Sequence, residues 1–276
     1  MVQKNNKAAR AAQYILLVVL TITTLLPLIW MLSASLKLST EVFTSPIRWI
    51  PETFHWENYA QIWQKVDFGR FTWNSAKLTV LVTLIQLLTC SFAAYGFTKC
   101  RFPGRDTLFL GYVATIAIPW QIFMLPQYLM MNKMHLVDSH LGYVLLSSFA
   151  AFGVFLLRQF FLGIPNELLE AARIDGLSEY GIYFRIVLPL AKPAMATLAI
   201  FTFVNVWNDF MGPMIYFNTE SNKTVPLGIR MFVGQYSTDY QLIMAASVLS
   251  LIPVLVMYIF CQKYFVQGVA TSGLKG

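Results

Sequence analysis

Apolar residues fall into six long runs along this chain instead of alternating with polar residues. The runs cover residues 14–32, 78–97, 108–131, 141–161, 195–217 and 242–260. Because a helix rises about 1.5 Å per residue and the hydrocarbon core of a bilayer is about 30 Å thick, each run can cross a membrane as a helix. A helix also satisfies its own backbone hydrogen bonds, as lipid requires. The pattern predicts an all-α polytopic membrane protein with six transmembrane helices.

The composition agrees with a membrane protein. Of the 276 residues, 57% are hydrophobic and 12% are charged, whereas soluble domains carry about 25% charged residues. These values exclude a disordered chain, a fibrous protein and a disulfide scaffold. The net charge of +7 would favour nucleic-acid binding in a soluble protein. Loops rich in Lys and Arg explain it more simply in a membrane protein, so we expect no nucleic-acid partner.

The basic residues predict the orientation of the chain. Lys99, Arg101 and Arg105 lie between the second and third runs, and short loops rich in Lys and Arg face the cytoplasm. Both termini are then cytoplasmic. We expect a cytoplasmic N-terminus at 1–12, a six-span domain at 13–262 with a long cytoplasmic loop at 162–193, and a cytoplasmic tail at 263–276. The first run is too long for the apolar region of a typical signal peptide, so we expect it to remain as a span.

The sequence lacks the motifs of common catalytic and cofactor sites. It has no G-x-x-x-x-G-K-[ST] phosphate loop, no H-E-x-x-H and no G-x-S-x-G. Its three histidines and three cysteines show no metal-ligand spacing. We therefore expect no catalytic residue, no metal site and no cofactor bound by this chain, and an intramembrane enzyme is disfavoured.

The loop at 162–193 begins with a predicted short helix. Asn166 is a good N-cap, Glu167 suits the first turn, and Gly176 suits the position just past the helix end. A helix of about two to three turns is too short to be stable alone in water, so other residues must hold it.

A second helix is predicted at 179–187 of the same loop, with Ser178 as its cap. Pro189 and Pro193 follow it and separate it from the fifth run. Periodicity alone leaves two interpretations open: a solvated connecting loop, or a helix–turn–helix element that docks a cytoplasmic partner.

This loop resembles the EAA loop of ABC-importer permeases. The shared pattern is Glu170-Ala171-Ala172, then Gly176, then nine residues, then Ile186-Val187-Leu188-Pro189. The run from Phe203 to Phe210 is similar to span five of carbohydrate permeases, and the C-terminal segment is similar to the maltose-type second permease subunit. The resemblance covers essentially the whole chain. It implies the transmembrane domain of a type I ABC importer, with the loop helix as its coupling helix.

The resemblance also implies partners and roles. The transporter would contain a heterodimer of two permease subunits, two ATPase subunits that bind ATP and Mg, and an extracellular or periplasmic sugar-binding protein. This chain would be a transport subunit, not an enzyme, and would move a carbohydrate across the lipid membrane by alternating access. The resemblance assigns ATPase docking to Glu170, Ala171, Ala172, Asp175 and Gly176, and positioning of the following segment to Ile186, Leu188 and Pro189. Residues 273–276 would also reach the ATPase pair.

A polar stripe in the fifth run is a second candidate site. Asp209 is a carboxylate well inside a predicted span, and such groups usually face a bundle interior or a water-filled cavity. On one continuous helix, Asn205, Asn208, Asp209 and Gly212 would share a face, with Trp207 beside them. Amides, carboxylates and aromatic rings all suit a sugar. Two roles stay open: direct solute contact, or helix packing and gating.

The leading interpretation is therefore a sugar or oligosaccharide permease. An ABC permease for a polyol or glycerol phosphate is the nearest alternative, since it would carry the same loop. A stand-alone secondary transporter is disfavoured, because a lone carrier has no need of a docking helix.

Overall fold

The computed structural model describes residues 7–234 and 237–272 of the chain. It is 76% helical, and the described residues contain no strand beyond an isolated bridge between Val233 and Thr238. The prediction of an all-α protein is confirmed. The helices are α1 Lys7–Ala34, α2 Glu57–Lys65, α3 Phe68–Lys99, α4 Arg105–Ala114, α5 Trp120–Lys133, α6 His140–Ser147, α7 Ala151–Leu162, α8 Asn166–Ile174, α9 Glu179–Ile182, α10 Leu188–Leu190, α11 Lys192–Trp207, α12 Met211–Tyr216, α13 Val225–Arg230 and α14 Tyr240–Ser272.

Three helical segments are long and apolar enough to cross a membrane without a break, namely Arg10–Ala34, Phe68–Lys99 and Tyr240–Gln262. Three bent pairs of helices are long and apolar enough when each pair is taken as one segment, so the described residues contain three to six candidate spans. These pairs are Arg105–Ala117 with Trp120–Lys133, bent by 100°, His140–Ser147 with Ala151–Leu162, bent by 42°, and Glu179–Leu190 with Lys192–Trp207, bent by 77°. The six segments overlap the six apolar runs, but only half of them are unbroken helices.

Prolines account for two of the breaks. Ile118 has extended backbone (φ −88°, ψ 118°) directly before Pro119, as the ring of a following proline favours. At the third break, Ala191 lies between Pro189 and Pro193, which have no backbone N–H to continue a helix. Apolar periodicity does not register these bends, because the runs remain apolar across them.

The fifth span starts earlier than predicted and ends earlier. Helix α11 begins at Lys192 and ends at Trp207, and α12 resumes only at Met211. We place the membrane-crossing part in α11, because Glu179–Leu190 turns away from it by 77° and carries the charged residues Glu179 and Arg185. Helices α9 and α10 therefore belong to the loop before the span.

Residues up to 68 form one compact unit with Gly228–Ile252. In the most apolar window of α1, no residue is buried within the chain. The segment after α1 is held by Asn58, whose Nδ2 donates to the backbone oxygens of Ser35 and Lys37, each at 2.9 Å. The Lys65 Nζ atom lies 2.6 Å from a carboxylate oxygen of Asp239. These bonds order the polar segment between the first two spans.

Residues Gly69–Leu227 form a second compact unit with residues 253–272. Its described residues include two hydrophobic cores. The first draws buried side chains from spans and from the loop at 162–193 alike, including Ala94 in α3, Phe109 in α4, Leu157 in α7, Leu169 in α8, Ile182 in α9 and Leu198 in α11. The second surrounds Leu78, Tyr143 and Tyr216. The loop is thus built into the first core, which a solvated connector would not be.

Candidate functional site

Helix α8 starts one residue earlier than predicted. Asn166 is the first helical residue and Pro165 precedes it (φ −57°, ψ 134°), so the prediction of Asn166 as N-cap is wrong. The Asn166 side chain serves a different contact. The Lys99 Nζ atom, at the end of α3, donates to Asn166 Oδ1 at 2.9 Å and to the Ile164 backbone oxygen at 2.7 Å. The start of α8 is therefore tied to the end of the second span.

The end of α8 is a complete Schellman motif. Gly176 has φ +84°, its N–H donates to the Arg173 oxygen at 3.1 Å, and the Leu177 N–H donates to the Ala172 oxygen at 2.9 Å. These are the two bonds that satisfy the last carbonyls of a helix ending in a left-handed residue. The prediction that Gly176 lies just past the helix end is confirmed.

The two faces of α8 differ in what they contact. Leu169 (1% exposed) and Ala172 (5% exposed) lie in the first hydrophobic core. Ala172 therefore packs within its own chain, and its part in ATPase docking stays a prediction. The opposite face is exposed to solvent and carries Glu167, Glu170, Ala171 and Ile174. Ile174 is 86% exposed.

The following segment turns back onto the same span. Ser178 caps α9 by accepting a hydrogen bond from the Gly181 N–H at 3.2 Å, as predicted. The helix continues through a π-helical turn at Tyr183–Val187 into α10. Ile186 and Leu188 are half-buried against the first core, whereas Pro189 is exposed. Asp175 is the exposed C-cap of α8.

Glu179 joins α8, α9 and the second span. Its Oε1 accepts from Arg173 Nε at 2.7 Å, and its Oε2 accepts from the Tyr95 hydroxyl at 2.6 Å. Because both partners stabilise the carboxylate, the Arg173 guanidinium first and the Tyr95 hydroxyl second, the pKa of Glu179 lies below its ordinary value. One turn further up the span, the Ser91 and Tyr183 hydroxyls lie 2.6 Å apart.

Sequence reasoning missed this set of contacts in α3. Ser91, Tyr95 and Lys99 recur at i, i+4 and i+8, which places them on one face of a helix. That face holds both helices of the loop. The spacing was visible in the sequence, but polar residues near the end of an apolar run are also typical of an ordinary membrane boundary.

Asp209 does not lie on a continuous polar stripe. It follows the end of α11, and the helix resumes only at Met211, so the predicted single face of Asn205, Asn208, Asp209 and Gly212 does not form. The Asp209 Oδ2 atom accepts from the Tyr143 hydroxyl at 2.7 Å, and Oδ1 accepts from the Gly212 N–H at 3.1 Å. These contacts are those of a turn that joins α12 to α6, and they favour packing or gating over solute contact.

The other members of the stripe separate. Trp207 is 2% exposed and stacks on Phe203, with ring centroids 6.1 Å apart. Asn208 is exposed and donates from Nδ2 to the Val204 oxygen at 2.8 Å. Asn205 instead lines a small cavity of about 130 Å³ together with Gln86, Thr202 and two phenylalanines, Phe152 and Phe201.

The Gln86 amide closes one wall of this cavity. Its Nε2 donates to the Ser147 oxygen at 2.6 Å, and its Oε1 accepts from the Thr202 hydroxyl at 2.8 Å. Asn205 thus offers an amide beside two aromatic rings, and the lining residues include no charged side chain. Among the described residues no cluster of His, Cys, Asp and Glu has the arrangement of a metal site.

Helix α8 and the Asp209 turn both lie in a part of the chain that matches a known family. The family model for the inner membrane component of binding-protein-dependent transport systems matches residues 86–271. The chain belongs to this family. The match includes α8, its anchoring residues on α3 from Ser91 onwards, and the Asp209 turn.

Similar members of the family are permease proteins of transport systems. The arabinooligosaccharide permease AraQ of Halalkalibacterium halodurans is 35% identical over 254 residues, 91% of each chain. The diacetylchitobiose permease NgcG of Streptomyces coelicolor is 30% identical, over 98% of this chain and 91% of its own. The sn-glycerol-3-phosphate permease UgpE of Yersinia pestis is 32% identical, over 98% and 99%.

A solved structure shares the fold. A chain from the bacterial ABC transporter involved in import of the acidic polysaccharide alginate has a TM-score of 0.81 and 24% sequence identity, covering 96% of this chain and 99% of its own. The similarity supports the type I importer fold predicted from the sequence.

Proposed function

We propose that this chain is a permease subunit of an ATP-driven importer that carries an oligosaccharide across the cytoplasmic membrane. The observation that supports this most directly is helix α8. One of its faces is fixed in the core of the spans, and the opposite face is free for a partner. A helix held in this way transmits displacement, because a push on its exposed face moves the spans that it packs against.

The exposed face of α8 has the character of a docking surface. Glu170 and Ala171 offer a carboxylate beside a small side chain, and Ile174 offers an apolar side chain that water covers in the isolated chain. We infer that an ATPase subunit binds this face, with Asp175 and Gly176 at its edge. Ala172, Ile186 and Leu188 act indirectly by holding α8 in the core.

The remaining components follow from the same proposal. A second permease subunit forms a heterodimer with this chain, two ATPase subunits bind ATP and Mg, and an external binding protein delivers the solute. Helix α8 and both termini face the cytoplasm in this arrangement, as the basic residues between the second and third spans favour. The tail at 273–276, a further candidate for ATPase contact, lies outside the described residues.

The solute path is proposed to pass Asn205. Its amide and the rings of Phe152 and Phe201 provide a hydroxyl-binding group beside apolar surfaces, which is the combination that a sugar ring needs. The Asp209–Tyr143 contact is proposed as a gate near the end of the same span. Asn208 is exposed and is proposed to face the second permease subunit or the path.

The choice of solute rests on relatives and on charge. AraQ and NgcG are named for oligosaccharides, whereas UgpE, named for sn-glycerol-3-phosphate, supports a glycerol-phosphate permease as the second candidate. A phosphate needs cationic or strong hydrogen-bond donors. The cavity beside Asn205 has no Lys or Arg among its lining residues, which favours a neutral solute.

The proposal is tested with the reconstituted transporter. The chain is purified with the products of adjacent genes, and solute-stimulated ATP hydrolysis and uptake are measured over a carbohydrate panel that includes sn-glycerol-3-phosphate. We expect stimulation by an oligosaccharide and a crosslink from Ala171→Cys to an ATPase subunit. Uptake by the isolated chain, or crosslinks from Ala171→Cys to lipid alone, would refute the proposal.

A further inference from the structure

A cavity of about 550 Å³ lies between the end of α3, the start of α4 and helix α8. Its volume falls within the range of about 300–1,000 Å³ that small-molecule sites occupy. Its charged lining consists of four cations and two carboxylates: Lys99, Arg101, Arg105, Arg173, Glu170 and Glu179. Of these residues, only Glu170 belongs to the docking face proposed above, and the proposed transport function assigns no ligand to the cavity.

Among the described residues, carboxylates pair with two of the four cations and leave Arg101 without a partner. Glu179 is engaged by Arg173 at 2.7 Å, and Arg105 binds Asp106, which lies outside the lining, at 3.2 Å. Within the part of the chain that the structure describes, the Arg101 guanidinium has no hydrogen-bond or ion-pair partner. Its five donors are available to an anion, in a geometry suited to a phosphate or carboxylate.

The position of the cavity indicates where such an anion comes from. Helix α3 ends at Lys99 and α4 begins at Arg105, and both belong to membrane-crossing segments. The five residues between them therefore turn at the membrane surface, at the depth of the lipid headgroups. Phe102, next to Arg101, is 41% exposed and suits contact with the acyl region. Basic pockets at the ends of transmembrane helices are typical sites for anionic headgroups.

We propose that this cavity binds the phosphate-bearing headgroup of an anionic phospholipid, with Arg101 as its main ligand and Lys99 and Arg105 beside it. The headgroup would then lie against Glu170 and Arg173 of α8. A lipid bound there would connect α8 to the membrane surface directly, and this connection would not need a partner protein.

The test uses the full-length chain purified in detergent and titrated with lipid under native mass spectrometry. Phosphatidylglycerol and cardiolipin are compared with phosphatidylcholine, and inorganic phosphate is added in a separate arm. We expect the anionic lipids to bind more tightly, and Arg101→Gln to weaken them by about fivefold, the usual effect of one cation near a lipid surface. Arg101→Lys, which keeps the charge, should retain most of the binding.

Arg185→Gln is the matched control. Arg185 is an exposed cation in the loop at 162–193 and does not line the cavity, so its loss should leave phosphatidylglycerol binding unchanged. Circular dichroism checks that both variants are folded. The proposal would be overturned if Arg101→Gln and Arg185→Gln weakened binding of the anionic lipids equally. It would also be overturned if the wild-type chain bound phosphatidylcholine as tightly as the anionic lipids. Binding of inorganic phosphate at the Arg101 site without a preference for lipid would overturn the assignment to a headgroup.

Discussion

Replacing Gly176 is the most direct test of the rigidity of α8. An ideal Cβ built on Gly176 meets no atom within 4 Å, so a substitution acts through backbone conformation and not through a clash. The residue has φ +84°, a region in which an L-residue other than glycine costs about 1–2 kcal/mol. Asparagine tolerates this region best and β-branched residues worst. We therefore expect increasing damage in the order Gly176→Asn, Gly176→Ala, Gly176→Val.

The magnitude follows from the motif. A cost of about 1–2 kcal/mol raises the population in which the helix end is open by roughly 5–30-fold. The two amides that the motif protects, those of residue 176 and Leu177, should exchange with solvent faster by this factor. Hydrogen exchange measured on the purified chain gives this number without reference to transport. In the assembled transporter we expect ATP hydrolysis to continue while uptake per ATP falls in the same order.

Gly181→Ala is the matched control in the same loop. The nearest atom to a Cβ at Gly181 lies at 3.4 Å, an ordinary contact, and its backbone needs no left-handed conformation. It should change neither exchange at Leu177 nor coupling. If Gly176→Val left amide exchange and uptake per ATP at wild-type values, the argument that α8 transmits force as a rigid element would be refuted.

Three further predictions test other parts of the structure. The depressed pKa of Glu179 means that its contacts stabilise the loop above the ordinary carboxyl pKa and are lost as the pH falls through the lowered value. Protection of the α8 amides relative to their intrinsic exchange rates should therefore fall in acid in the wild type, whereas Glu179→Gln should show the lower protection already at neutral pH and no further fall in acid. Tyr143→Phe and Asp209→Asn should each destabilise the chain by about 1–3 kcal/mol in thermal unfolding, because each leaves a part-buried partner unsatisfied, and the double variant should cost less than their sum. Gly153→Ala places a Cβ 2.7 Å from a cysteine sulfur on α3 and should cost about 1–3 kcal/mol by overpacking, whereas Gly111→Ala, which meets nothing within 4 Å, should be tolerated.

The sequence was sufficient for the parts of the fold that depend on local chemistry. The apolar runs predict the six candidate membrane segments. Gly176 and Ser178 predict the end of α8 and the start of α9, because each of these two residues acts on the backbone next to it. The EAA pattern was sufficient to predict the family for the same reason, because its residues lie close together in the chain. The docking role of α8 stays a prediction.

The sequence was not sufficient where the outcome depends on distant residues. From the sequence, Ala172 fits a docking face and a packing face equally well. Which side of α8 is buried depends on the packing of Leu169 and Ala172 against the core of the spans. Asn166 has the chemistry of an N-cap, but the Lys99 ammonium takes its side chain. The Asp209 stripe fails because the helix breaks after Trp207, and the contact that holds that turn comes from Tyr143, 66 residues away.

These contacts define which parts of the permease can move together. The loop is joined to α3 at three heights. Helix α8 is held through Lys99 and Asn166, α9 through Tyr95 and Glu179, and the π-helical turn through Ser91 and Tyr183. Helix α8 shares a hydrophobic core with α7 and α11. Displacement of α8 by a partner would have to break charged hydrogen bonds and open this core before it could slide past the second span. Moving α3, α7 and α11 together with α8 keeps these hydrogen bonds and the core contacts of α8 with α7 and α11. Joint movement of α8 with these spans therefore costs less free energy than sliding α8 alone. For this physical reason we expect a rigid-body rotation of these spans in transport.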